Sequence, residues 1–240
     1  MGNEDSKVSK KEKIQGAEET IAILNAFIQQ YHAGEFLSDE QAKRAVESGV
    51  VEITRPSGSH LGNGLLISDN GYFLTCSHCF DSYPARSRIR TADGLSYRIS
   101  KVNVVANLSD VALGKAEIDG PSTTRTYRFY QRQFPERDEL VAQVTRRDGE
   151  VSYKYGKVEF PGPLEKITGD GVRIDHHLIV SLLIKSGDSG STIINPDKRI
   201  MGFSSLGTDI STKEWGSVVN IVRALEMLHH YKTHLEEYVK

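Results

Sequence analysis

The chain has 240 residues, 38% of them hydrophobic and 26% charged, with a formal net charge of −2. That length holds one large domain or two small ones around a substantial core, and the composition excludes wholesale disorder. The balanced charge excludes the basic field that a nucleic-acid binder needs, and no apolar run reaches the length of a membrane span.

Residues 1–13, MGNEDSKVSKKEK, are polar throughout and read as a flexible tail with no signal-peptide core. The two cysteines, Cys76 and Cys79, are too few and too close for a secreted disulfide framework, so a reducing, cytoplasmic setting is expected. One feature points elsewhere. Met1-Gly2 followed by Ser6 fits the N-myristoylation pattern, and Lys7, Lys10, Lys11 and Lys13 offer the second, electrostatic signal of anchoring, diluted by Glu4, Asp5 and Glu12. A charged start to a cytosolic protein and a membrane tether through Gly2 stand as alternatives.

Ile14, Ala17, Ile21, Leu24, Ile28 and Tyr31 recur at spacings of three and four and predict an amphipathic helix ending at His32-Ala33-Gly34. Ser38 to Gln41 is a capping-box pattern that opens a shorter second helix. Both apolar stripes are expected to pack on the body of the protein or on a partner chain, self-association included. From residue 50 the texture becomes β: VVEITRP, GNGLLIS, YFLTCSH, SRIRTADG, LSYRISKVNVVA and DVALGKAE, with Asp69-Asn70-Gly71 and Ala92-Asp93-Gly94 as hairpin turns. After the turn-rich link at 118–122 come TRTYRFY, ELVAQVT, EVSYKYGKVEF, GVRIDHHLIVSLLI, STIIN, RIMGFSSLG and WGSVV. Two sets of roughly six antiparallel strands predict an all-β fold of two small barrels. The expected organisation is an extension over 1–48, barrels at about 49–118 and 123–219, and a helix over 220–240, which leaves no room for a following peptide-binding domain.

Chemistry concentrates in three places. In IKSGDSGSTIIN, residues 184–195, glycines bracket Asp188-Ser189, as they do where the backbone bends sharply or something approaches it closely. A serine is a weak nucleophile without a base, and His78, at the rim end of the apolar run Tyr72–Thr75, is the best placed of eight histidines. Asp110, in Ser109-Asp110-Val111-Ala112-Leu113, reads as a lone carboxylate entering an apolar strand. Such a group implies a partner.

LTCSHCF around His78, SDVAL around Asp110 and SGDSGS around Ser189 resemble the signature segments of the chymotrypsin/trypsin-like serine peptidases, in that family's order. The resemblance covers about residues 49–220, with the short intervals of a compact intracellular or HtrA-type core. It implies a chymotrypsin-like double six-stranded antiparallel β-barrel and peptide-bond cleavage needing no metal or cofactor. It makes Ser189 the nucleophile, His78 the general base and Asp110 the group that orients His78. Protein or peptide would be the substrate. The N–H groups of Gly187 and Ser189 would form the oxyanion hole. Leu183, six residues before Ser189, would floor the specificity pocket and favour apolar or small P1 side chains, with Ser205, Leu206 and Gly207 along its wall; Leu183 facing the core is the competing reading.

Departures from the family pattern accompany these expectations. Cys79 follows His78 without a partner cysteine in His60–Gly64, so free thiols are expected, and a zinc site from Cys76, His78 and Cys79 lacks a second ligand pair. Asp188 matches the position that pairs with a freshly cleaved N-terminus in zymogen-type members. Val50-Val51 reads either as that terminus or as the first strand of an uncleaved chain. His176 and His177 read as surface or strand-packing residues. The rival to an active enzyme is a catalytically latent protease-like scaffold.

Overall fold

The computed structural model describes residues 9–33, 37–80, 86–106, 109–167, 173–210 and 213–240, with only the backbone at 104, 106, 163–167, 173–177, 206–210 and 213–215. Gly2, Ser6, Lys7 and Gly34 lie outside the described residues, so the myristoylation pattern does too.

Helices α1 (Lys10–Ala33) and α2 (Asp39–Gly49) precede six strands: β1 (Val50–Thr54), β2 (His60–Leu66), β3 (Tyr72–Thr75), β4 (Arg88–Arg90), β5 (Ser96–Ala106) and β6 (Val111–Ala116). These close into a barrel in the order β1-β2-β3-β6-β5-β4. The second barrel comprises β7 (Leu140–Arg147), β8 (Glu150–Ile167), β9 (Arg173–Val180), β10 (Thr192–Ile194), β11 (Ile200–Ile210) and β12 (Lys213–Asn220), ordered β10-β11-β12-β9-β8-β7. Every pairing is antiparallel, and the two barrels share one strand order. The fold is chymotrypsin-like, with helices at both ends. Helix α3 (Ile221–Val239) starts where the sequence marks it, with the Asn220 side chain accepting from the Val222 N–H at 2.8 Å.

Each barrel has its own small core, Val51, Ile53, Phe73 and Ile89 in the first and Val141, Val158, Val180 and Val218 in the second. The larger core lies between them. Leu65, Leu74 and Leu113 from the first barrel meet Val144, Ile200 and Phe203 from the second, and Phe27 of α1, Val46 of α2 and Leu228 of α3 seal it. Removing this apolar surface from water is what fixes the barrels to each other.

TRTYRFY departs from expectation: it is not a barrel strand but a strap between the barrels. Isolated bridges from Thr124 to Ser68 and from Phe129 to Ile200 replace a ladder along it, while Tyr127 and Phe129 turn inward to stack edge-on against Phe27. The buried face of α1 is also rotated from the apolar stripe. Ala17, Thr20, Ile23, Leu24 and Phe27 are buried while Ile14 and Ile21 are only partly covered. A polar residue sits on that face because the Thr20 hydroxyl bonds the Tyr72 hydroxyl at 3.0 Å. The helix packs on its own chain. The Ser38–Gln41 capping box is formed in both directions, at 3.3 and 2.8 Å.

Candidate active site

The site forms where the ends of β3, β6 and the turn before β10 converge. Beyond Thr75 the chain tightens into a 3₁₀ turn, Ser77–Phe80, that carries His78 at the barrel rim. Asp110 is not within a strand. It precedes β6 with a φ of 54°, a left-handed conformation that aspartate tolerates better than most residues. That break in the strand turns its carboxylate back onto the 3₁₀ turn.

The three groups meet. His78 Nδ1 lies 2.8 Å from Asp110 Oδ2, and His78 Nε2 lies 2.8 Å from Ser189 Oγ. With Nδ1–H donating to the carboxylate, Nε2 is left as an acceptor for the serine proton. Ser189 Oγ also stands 3.1 Å from the Ser205 carbonyl, a second acceptor for the same hydroxyl. Asp110 is 8% exposed and accepts four hydrogen bonds, from Ser77 Oγ, His78 N–H, His78 Nδ1 and Ser205 Oγ. Burial pushes its pKa up, but the hydrogen bond and positive charge of His78, then Ser205, outweigh that and bring it down to about 2.

Gly187 has a φ of 94° and Gly190 a φ of 77°, so both brackets of Asp188-Ser189 occupy the left-handed region. A Cβ on Gly187 would lie 2.7 Å from His60 Cδ2, and one on Gly190 would lie 2.0 Å from the Asn63 carbonyl. Among the described residues, neither the Gly187 nor the Ser189 N–H donates elsewhere, so both remain free for an incoming oxygen. The Gly187 carbonyl is held at 2.7 Å by His60 Nε2 and at 3.1 Å by the Asn63 amide. His60 Nδ1 in turn lies 2.9 Å from Glu52 Oε1, and Arg90 reaches the other Glu52 oxygen at 3.1 Å. Both nitrogens of His60 thus face oxygens, one of Glu52 and one of Gly187.

A cleft of about 210 Å³ opens beside Ser189 and His78, lined also by Arg55, Leu61, Cys79 and Ser186. Of the residues expected to bind substrate, Leu183 is half-buried outside this cleft. Ser205 directs its hydroxyl to Asp110 rather than into a pocket, and Leu206 and Gly207 continue β11, with Gly207 in register with Gly216. His176 and His177 are described only as backbone positions on β9.

Neither Cys76 nor Cys79 is in a disulfide. Among the described residues, the ligand-type atoms that gather are those of Cys76, His78 and Asp110, within 4.8 Å of one another, and not the Cys76, His78 and Cys79 set that the sequence disfavours. Burial, then the Asp110 charge, raises the Cys76 thiol well above its usual range, and it donates to the Ser204 carbonyl. A protonated, hydrogen-bonded thiol is a poor metal ligand.

Sequence reasoning did not find Glu52, His60, Asn63 or Lys154. Glu52 carried a usable signal: it is a single acid between Val51 and Ile53, the same sign that drew attention to Asp110. Lys154, from β8, pairs with Asp188 at 2.5 Å, a contact no local pattern announces.

The trypsin-like peptidase domain family matches residues 62–203, more than half of the chain. No curated protein matches it.

Proposed function

The chain belongs to the trypsin-like peptidase family, and from that premise we propose that it is a serine endopeptidase working through an acyl-enzyme. The supporting observation is the unbroken series from Ser189 Oγ to His78 to Asp110, with 2.8 Å at each step. Ser189 Oγ attacks the peptide carbonyl as His78 Nε2 takes its proton. Asp110 stabilises the imidazolium, and the Gly187 and Ser189 N–H groups receive the charge that develops on oxygen. His78 then delivers the proton to the leaving amine. Water attacks the acyl-enzyme by the same route, releasing the acid and restoring the serine.

The proposal includes apolar or small residues before the cleaved bond. Leu183 carries no charge, and Ile184 is buried with its Cδ1 over Gly216. Digestion of a randomised peptide library tests both parts. Wild type is expected to cleave after Ala, Val or Leu and Ser189→Ala to cleave nothing. Cleavage after Arg or Lys would overturn the P1 assignment, and equal cleavage by Ser189→Ala would overturn the mechanism.

A further inference from the structure

Asp188 is 8% exposed, lies between the cleft-lining residues Gly187 and Ser189, and is not part of the Ser189–His78–Asp110 series. A carboxylate buried to that degree requires compensation. Its Oδ2 accepts from the Lys185 N–H at 2.8 Å and from Lys154 Nζ at 2.5 Å, and among the described residues Lys154 is its ion-pair partner. The pair crosses from β8 to the turn, so the carboxylate cannot swing without losing its counter-charge. The same turn is closed by the Asp188 N–H on the Lys185 carbonyl at 2.9 Å and by Ser204 Oγ on the Asp188 carbonyl at 2.5 Å.

The bond between Gly49 and Val50 tells the other half. Both residues are buried, and a Cβ on Gly49 would lie 2.1 Å from Tyr127 Oη. The Val50 N–H bonds the Val46 carbonyl, and the Val50 carbonyl accepts from Arg146 Nε at 2.8 Å. A protease cannot reach this bond in the folded chain, so no amino group released at Val50 is at hand to neutralise Asp188.

We propose that Lys154 is a positioning residue of the site: paired with Asp188, it holds the 186–189 turn with both N–H groups free, in a chain still joined across 49 and 50. The inference rests on the peptidase reading above and goes beyond it, since it makes activation cleavage at Val50 unnecessary. Lys154 touches no reacting atom; it acts through Asp188.

The test compares full-length wild type, Lys154→Met and Lys154→Arg. Kinetics on a peptide amide are read alongside the backbone amide resonances of Gly187 and Ser189 and the intact mass of the active species. Lys154→Met is expected to lower kcat by about 10²-fold with little change in KM, since losing one oxyanion donor costs about 10²–10³. It should move the Gly187 and Ser189 resonances while the downfield His78–Asp110 proton persists. Lys154→Arg should restore most of the rate, and the active wild type should carry the intact chain. Unchanged kcat in Lys154→Met, unmoved amide resonances, or activity confined to chains cut before Val50 would each overturn the proposal. A wild type that cleaves nothing would sink the peptidase reading alone, and the resonances would still decide the clamp. Should Lys154→Met not fold, its combination with Asp188→Asn leaves no unpaired charge and carries the same comparison.

Discussion

At the scale of single residues, the site is a set of hydrogen bonds that converge on Asp110 and on the turn carrying Ser189. Asp110 illustrates the energetics. Its folded-state pKa is depressed from 3.8 to about 2. The stability it contributes is therefore complete above the unfolded value and is lost as pH falls through about 2. A shift of that size corresponds to about 2 kcal/mol. In urea unfolding, the difference between wild type and Asp110→Asn should shrink between about pH 4 and about pH 2; a gap that persists at the acid end would refute this. The same substitution should cut kcat by about 10⁴, because an amide permits the wrong histidine tautomer. Ser205→Ala removes the 2.6 Å bond to Asp110 Oδ2 and should raise the aspartate's pKa, moving that acid transition toward higher pH. At Gly187 the constraint is steric. Gly187→Ala places a methyl on His60 at a backbone conformation that L-residues resist, so kcat should fall by at least about 10².

At the scale of elements, the joint between α2 and β1 governs how the N-terminal extension relates to the site. Arg146 of β7 is buried and donates to the Glu47 carbonyl at 2.6 Å, the Val50 carbonyl at 2.8 Å and the Gly149 carbonyl at 2.6 Å. It therefore stitches the second barrel to the helix that precedes the first. Arg146→Ala strands three carbonyls and is expected to destabilise the fold by about 3 kcal/mol, measured as a lowered denaturation midpoint at unchanged m-value. Phe27→Ala should cost about as much, since it opens a cavity against Tyr127 and Phe129. Legibility differed by element for physical reasons. Strands β1 to β6 and the Ser38 cap are local patterns of alternation and capping, so the sequence announces them. The 124–130 strap alternates in the same way, but its inward residues face a helix a hundred positions upstream. Period-two alternation cannot say what lies on the buried side. Ser189, His78 and Asp110, which the structure brings within 2.8 Å of one another in series, each break their local context. Lys154 and His60 were not legible, because their partners are set by barrel packing alone.

At the scale of the molecule, the extension and α3 close the side of the barrel interface away from the chemistry. Phe27, Val46 and Leu228 join the inter-barrel core, while the cleft at Ser189 is lined by neither extension helix. No helix among the described residues is long and apolar enough to cross a membrane. The architecture thus leaves Ser189 on an open cleft in the uncleaved chain, with His78 Nε2 2.8 Å from its hydroxyl. The most direct test is labelling of the purified, uncut protein with a fluorophosphonate, with the site located by mass spectrometry. The account predicts one adduct, on Ser189, absent in Ser189→Ala and strongly slowed in His78→Ala. A folded wild type that takes up no label would contradict it and favour a latent, scaffold-like protein.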